Sequence, residues 1–90
     1  MDFQDKRRHP RVRYRQQVLI NNVLPAIGDS ISVGGIFLYT EAIFAPDHKL
    51  KLQLVLHQLP LQLDAVVRHY RSGIGIGLMF VDLSEEQELL

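Results

Sequence analysis

Residues 49–57 read Lys-Leu-Lys-Leu-Gln-Leu-Val-Leu-His, and this stretch decides the fold class. Leu50, Leu52, Leu54 and Leu56 occupy every second position, which places them on one face of a β-strand and the polar side chains on the other. A helix would need apolar residues at intervals of three and four. The pattern therefore predicts a strand with one buried face.

The same alternation continues on both sides of this strand. After a break at Leu59-Pro60, residues 61–67 alternate again, so the two runs predict a long hairpin. A turn at Ser72-Gly73 then leads into a predicted strand at residues 74–81, where Gly75 and Gly77 would let a neighbouring backbone approach closely. Upstream, residues 12–20, 23–31 and 36–40 are also predicted strands.

Two local features refine this prediction. Pro25 and Gly28 interrupt the second strand and indicate an edge position or a β-bulge. At the other end of the chain, Ser84 and Gln87 have the spacing of a capping box, which predicts a short helix from about residue 84. Its leucines would pack on one end of the sheet; these are Leu83, Leu89 and Leu90.

Six short strands without a helical crossover predict an all-β, six-stranded antiparallel barrel, closed so that no long edge is exposed. Ninety residues suffice for one domain, so we expect a flexible basic arm at residues 1–11 and a single barrel domain at residues 12–90. There is no cysteine, no apparent signal peptide and no apolar run of the roughly 20 residues that span a bilayer. We therefore expect a cytoplasmic protein without membrane insertion.

The net charge is zero, but the charges are segregated. Six of the ten basic residues lie within residues 6–15, whereas the last stretch is acidic. A local positive segment on a neutral body favours a small anionic ligand or a partner protein over long nucleic acid, so no DNA or RNA partner is expected.

Two stretches carry the candidate binding chemistry. Residues 6–11, Lys-Arg-Arg-His-Pro-Arg, place Arg7 and Arg11 four positions apart in a segment with little apolar content. Residues 30–35, Ser-Ile-Ser-Val-Gly-Gly, combine two hydroxyls with two glycines just before an apolar run. We expect these two stretches to meet in space and to form the rim of an anion-binding site.

Nothing in the sequence predicts catalysis, a metal site or a cofactor. The four histidines at positions 9, 48, 57 and 69 lack the spacing of metal ligands. Ser30 and Ser32 have no identifiable base partner, and there is no nucleophile elbow. We therefore expect a protein that is not an enzyme.

The two stretches resemble the two motifs of the PilZ domain family. Residues 7–11 are similar to its RxxxR motif, and residues 30–35 are similar to its D/N-x-S-x-x-G motif. The ending at residues 75–84 resembles the last strand and the helix entry of that family. The resemblance implies a receptor that binds the bacterial second messenger cyclic di-GMP and presents a changed surface to an unidentified effector protein.

By position, the resemblance implies that Arg7 and Arg11 clamp the phosphate and guanine groups of the ligand. It adds a site set that consists of Arg8, Ser30, Ser32 and Gly35, with Lys6 and Gly34 at its margin. Lys6 precedes the first motif arginine, and its charge mildly favours an intercalated pair of ligands over a single one. A monomer or a weak homodimer is expected.

One position departs from the family motif. Ser30 stands where the family has Asp or Asn, which removes a group that pairs with the guanine edge and predicts weaker binding by roughly 1–3 kcal/mol. Asp29 is adjacent, but its side chain is expected on the opposite face of the strand unless a bulge near Gly28 intervenes. Two alternatives therefore stay open: a degenerate module that acts by protein contacts alone, and a barrel that binds single-stranded nucleic acid.

Overall fold

A computed structural model describes residues 10–82, and these residues form an all-β domain. The seven strands are β1 (Val12–Arg13), β2 (Gln17–Ile20), β3 (Leu24–Ile31), β4 (Gly35–Tyr39), β5 (Lys49–Leu56), β6 (Leu59–Arg71) and β7 (Gly75–Val81).

Six of these strands close into an antiparallel barrel, as the sequence predicts. The neighbours run in the order β3, β2, β5, β6, β7 and β4, and the pairing of β4 with β3 closes the ring. The short strand β1 adds to the end of β3, with Val12 opposite Ile31 and Arg13 opposite Ser30. The family resemblance therefore predicts the architecture correctly, and β1 is an addition to it.

The long hairpin of β5 and β6 is also confirmed, but its turn lies earlier than predicted. Lys49 pairs with Val66 at one end and Leu56 pairs with Leu59 at the other. The turn residues are His57 and Gln58, both with positive φ (53° and 67°), as a two-residue hairpin turn of the primed type requires. Pro60 lies inside β6, opposite Val55, so it does not break the strand as expected.

The core is the interior of the barrel and is made of apolar side chains from β2 to β7 together with Tyr14. All four leucines of the β5 pattern point inward; Leu50, Leu52 and Leu54 are buried, and Leu56 packs against the cluster. In the described part of the chain no polar or charged side chain is buried. The barrel interior thus offers no polar ligand site, and binding chemistry has to lie on its outside or at its ends.

The first predicted strand is divided in two. Residues 14–16 separate β1 from β2, although Tyr14 N–H still donates to the carbonyl oxygen of Asp29 and Gln16 accepts from Gly28 N–H. Tyr14, Val18 and Ile20 are buried as predicted, whereas Val12 on the same parity is 61% exposed. The alternation fails at Val12 because β1 extends past the closed ring, where nothing covers its side chain among the described residues.

The predicted helix from about residue 84 and most of the predicted arm lie outside the described residues. Within residues 10–82, no helix is long and apolar enough to cross a membrane.

Candidate functional site

The two candidate stretches meet at Arg11 and Ser30. Arg11 Nε donates a hydrogen bond to Ser30 Oγ at 3.0 Å, and Arg11 Nη2 donates to the Ser30 carbonyl oxygen at 3.3 Å. The contact is partly buried and spans nineteen residues of sequence. It arises because β1 pairs with β3 in the register that sets Arg13 opposite Ser30, which places Arg11 just beyond the end of the ladder.

A β-bulge shapes the surface around Ser30. The register of β3 against β4 shifts between Gly28, which pairs with Leu38, and Ser30, which pairs with Phe37, so Asp29 is the extra residue. Gly28 and Ile31 are buried, whereas Asp29 and Ser30 between them are both half-buried. The bulge therefore turns both side chains outward, which corrects the expectation that Asp29 would lie on the face opposite to Ser30.

Asp29 is held in place by two neighbours on the outer surface. The Tyr39 hydroxyl donates to Asp29 Oδ1 at 2.6 Å, and Arg15 Nε lies 3.7 Å from the same oxygen. The hydrogen bond to Asp29 is the largest of the effects that raise the pKa of Tyr39, and the positive charges of Arg15 and Arg13 oppose it. The outer surface at β1 and β3 thus combines one fixed carboxylate with several guanidinium groups.

The second motif forms a tight turn between β3 and β4. Ser32 N–H donates to the Gly35 carbonyl oxygen at 2.8 Å, and Ser32 Oγ accepts from Gly34 N–H at 3.2 Å. The Gly34 carbonyl oxygen in turn accepts from Phe80 N–H at 2.9 Å, which ties the turn to β7. Ser32 and Gly34 therefore hold the conformation of the turn.

Glycine is required at position 35 by the pairing of β4 with β7. Its φ is not in the left-handed region, so the turn itself does not demand glycine. A Cβ at this position would instead collide with the carbonyl oxygen of Leu78 on the paired strand β7. Gly75 has the same role at the other end of this strand pair, against the Leu38 carbonyl oxygen, while a Cβ at Gly77 would make only ordinary contacts with His69 and Phe37.

Aromatic side chains continue the surface next to Ser30 and Asp29. Phe37 and Tyr39 meet edge to face with their ring centroids 5.8 Å apart, and the Arg71 guanidinium lies 5.9 Å from the Phe37 ring centroid. Since Phe37 pairs with Ser30, the aromatic edge begins one strand away from the Arg11 contact. Such a surface suits a ligand with flat bases and anionic groups.

A cavity of about 300 Å³ opens at the end of the barrel beside this surface. Pro10, Ser32 and Val33 line it on the motif side, and the other lining side chains are apolar apart from His57. Ser32 is thus shared between the turn and the cavity. The cavity itself lacks the charged groups that would hold phosphates.

The remaining residues of the predicted site lie outside the described residues; these are Lys6, Arg7 and Arg8. The surface around Ser30 also contains Tyr39, Arg13 and Arg15, which the motifs do not indicate, and Asp29, which the sequence places on the opposite face unless a bulge intervenes. The alternation of arginines at positions 11, 13 and 15 was the available signal, because it places three guanidinium groups on one side of an extended segment. No cluster of metal-ligating side chains occurs among the residues that the structure describes.

The fold and this surface define a small antiparallel β-barrel with an arginine-bearing N-terminal segment attached to its outer face. A sequence model of the PilZ domain matches residues 5–90, nearly the whole chain, and the chain therefore belongs to the PilZ domain family. PilZ domains are receptor or adaptor modules and not enzymes.

Two solved structures share the fold. The inhibitor of motility MotI/DgrA of Bacillus subtilis superimposes with a TM-score of 0.78 at 20% identity, over 94% of this chain and 46% of that one. The PilZ domain of CeSA from a cellulose-synthesizing bacterium gives a TM-score of 0.67 at 21% identity, over 89% of this chain and 88% of that one. The present chain thus spans about half the length of MotI/DgrA. No curated protein sequence matches the chain significantly.

Proposed function

We propose that this chain is a receptor domain for cyclic di-GMP and binds the nucleotide on the outer surface formed by Arg11, the Asp29–Ser30 bulge and the turn from Ser32 to Gly35. The observation that carries the proposal is the contact of Arg11 with Ser30, because it brings one residue of each family motif to the same place. Membership of the PilZ family supports the choice of ligand.

The chemistry of this surface suits a cyclic dinucleotide. A guanidinium group pairs with two phosphate oxygens or with the O6 and N7 acceptors of guanine. Three arginines lie at this surface. Arg11 donates hydrogen bonds to Ser30, and Arg13 lies opposite Ser30 in the pairing of β1 with β3. Arg15 lies beside the Asp29 carboxylate. The Phe37 and Tyr39 rings add an aromatic edge on which a base can stack.

Arg7, Arg8 and Lys6 would complete the site from the arm. In this account the ligand phosphates draw the arm onto the barrel, so that binding orders residues 1–9 against the outer face. The altered surface is then recognised by an effector protein, as expected of a receptor domain.

A second candidate function has an observation in its favour. Arg11 already donates two hydrogen bonds to Ser30, so part of its guanidinium is engaged within the protein without a ligand. A module that has lost nucleotide binding and acts only through protein contacts would show the same arrangement. Direct measurement of binding separates the two functions.

The test is calorimetric titration of the full chain with cyclic di-GMP at physiological salt, alongside Arg11→Ala and Arg68→Ala. Arg68 is the matched control, since its Nη1 pairs with Asp47 Oδ1 at 2.9 Å elsewhere on the outer surface. We expect saturable binding that Arg11→Ala weakens about tenfold or more and that Arg68→Ala leaves unchanged. Absence of binding by the unaltered chain would support the degenerate module instead.

A further inference from the structure

We propose that Asp29 recognises the guanine base of the ligand, taking the place of the Asp or Asn that the family motif has at the position of Ser30. This inference rests on the proposed function and assigns the base-recognition step of that site to a residue outside the motif.

The β-bulge in β3 places the Asp29 carboxylate on the outer surface. In a regular strand the side chains of Asp29 and Ser30 would point to opposite faces. The bulge between Gly28 and Ser30 adds one residue to β3, and both side chains are half-buried while Gly28 and Ile31 on either side are buried. Asp29 therefore offers a carboxylate on the same outer surface as the hydroxyl of Ser30, one residue from the motif position.

Two contacts fix the orientation of this carboxylate. Tyr39 donates to Oδ1 from the neighbouring strand, and Arg15 Nε approaches the same oxygen at 3.7 Å. Neither contact uses Oδ2. A carboxylate fixed in this way is an oriented acceptor that a ligand can meet without ordering it first.

Guanine has an edge that is complementary to a carboxylate. The Watson–Crick edge of guanine presents two adjacent donors, the N1–H and the 2-amino group, which match the two oxygens of a carboxylate: here Oδ2 and the second lone pair of Oδ1, since Arg15 Nε at 3.7 Å is too far to use it. Adenine presents an acceptor at N1 and lacks the 2-amino group, so the same carboxylate disfavours it. A guanine seated against Asp29 would also lie beside Tyr39 and close to the Phe37 ring, which meets Tyr39 at 5.8 Å between centroids.

Asp29 has an alternative role that is only structural, in which it fastens the bulge to β4 through Tyr39. The two roles make different predictions for Tyr39→Phe. This variant removes the same hydrogen bond as Asp29→Ala but keeps the carboxylate.

The experiment compares the affinities of the full chain for cyclic di-GMP and for cyclic di-IMP, the inosine analogue without the 2-amino groups. We expect the unaltered chain to prefer cyclic di-GMP by about tenfold or more. Asp29→Ala should abolish this preference, while Tyr39→Phe, which loses the orienting contact but keeps the carboxylate, should weaken the binding of both ligands and retain the preference. Asp64→Ala is the control, because Asp64 is a comparably exposed carboxylate that lies 3.9 Å from Lys49 Nζ, outside the site.

Three results would overturn the inference: equal affinity of the unaltered chain for both ligands, an unchanged preference in Asp29→Ala, or an equal loss of preference in Tyr39→Phe and Asp29→Ala. If the unaltered chain binds cyclic di-GMP tightly but the preference over cyclic di-IMP does not follow the expected pattern, the proposed function stands and Asp29 has the structural role. If the unaltered chain does not bind cyclic di-GMP, the proposed function and the inference both fail.

Discussion

Arg11 donates two hydrogen bonds to Ser30, one from Nε to the hydroxyl oxygen and one from Nη2 to the backbone carbonyl. A hydroxyl accepts only one of the two parallel bonds that a guanidinium fork can donate, whereas a carboxylate accepts both. Arg11 thus connects the N-terminal segment to the barrel at the second motif. The acceptor is the neutral side chain of Ser30, where the family motif often has an acidic one.

Replacing Ser30 by Asp should therefore strengthen ligand binding. The new carboxylate would restore the motif and place a second acceptor for the guanine edge beside Asp29, and we expect cyclic di-GMP to bind about tenfold more tightly. Calorimetric titration of Ser30→Asp beside the unaltered chain measures this gain. Unchanged or weaker binding would show that the hydroxyl of Ser30 does not limit the affinity for cyclic di-GMP.

Gly35 should be indispensable for stability, in contrast to Gly77. The Cβ of Gly35→Ala would collide with the Leu78 carbonyl oxygen, which has to move with its strand, so we expect a loss of about 1–3 kcal/mol in the free energy of unfolding. Gly77→Ala is the matched control, because its Cβ would lie 3.4 Å from the nearest atoms of His69. Urea denaturation of both variants tests the comparison, and equal losses would be inconsistent with a collision at Gly35.

Tyr14 should stabilise the barrel through its hydroxyl as well as its ring. The hydroxyl donates to the Val55 carbonyl oxygen at 2.5 Å and accepts from Val55 N–H at 3.0 Å, which links the region between β1 and β2 to β5. Tyr14→Phe leaves both backbone groups without these partners, so we expect a loss of about 1–3 kcal/mol, measurable by urea denaturation. Tyr70→Phe, on an exposed side chain, should cost far less.

The same residue should make stability depend on alkaline pH. Burial raises the pKa of Tyr14, and the hydrogen bond to the Val55 backbone only partly opposes this effect. Above the ordinary tyrosine pKa of about 10, the unfolded chain loses this proton while the folded chain keeps it, so stability falls as the pH rises through that window. Tyr39 and Lys49, whose pKa values are also raised, contribute in the same direction.

Unfolding free energies of Tyr14→Phe between pH 9 and roughly 11 should therefore show a smaller slope than those of the unaltered chain. An equal slope would assign the effect to the other two groups.

Gln58→Gly should stabilise the β5–β6 hairpin. Gln58 has a φ of 67°, a left-handed conformation that costs an ordinary residue roughly 1 kcal/mol and costs glycine almost nothing. We expect a gain of about 0.5–1 kcal/mol in the free energy of unfolding. Gln53→Gly, in the middle of β5, should have the opposite effect, and a loss in both variants would argue against strain at the turn.

The sequence predicts the barrel well because alternation in β5 and β6 leaves only one way to bury the leucines. It predicts less well where backbone geometry decides. The turn is placed at Leu59-Pro60, since proline is a strong turn signal, whereas the ladder continues through Pro60 and the turn uses His57 and Gln58. Neither residue is of a type that hairpin turns with a positive φ favour, such as glycine or asparagine, so the sequence does not indicate this turn.

The candidate site shows the same division. The motifs locate Arg11, Ser30 and Gly35 by spacing alone, and the structure brings Arg11 to Ser30. The outward position of Asp29 depends on a register shift in β3, which Gly28 hints at but does not specify. The collision that makes Gly35 necessary involves Leu78, forty-three residues later in the chain, and so is visible only once β4 and β7 are paired.

The central claim is that cyclic di-GMP binds on the outer surface around the Asp29–Ser30 bulge, and the most direct measurement is a titration followed by amide resonances in a ¹H–¹⁵N correlation spectrum. Saturable shifts are predicted at Arg11, Asp29, Ser30, Ser32 and Gly35, with little change at Asn21 and Asn22, in the turn that joins β2 to the opposite end of β3. A spectrum that does not change, or one in which the shifts concentrate at that turn and spare the bulge, would contradict the claim.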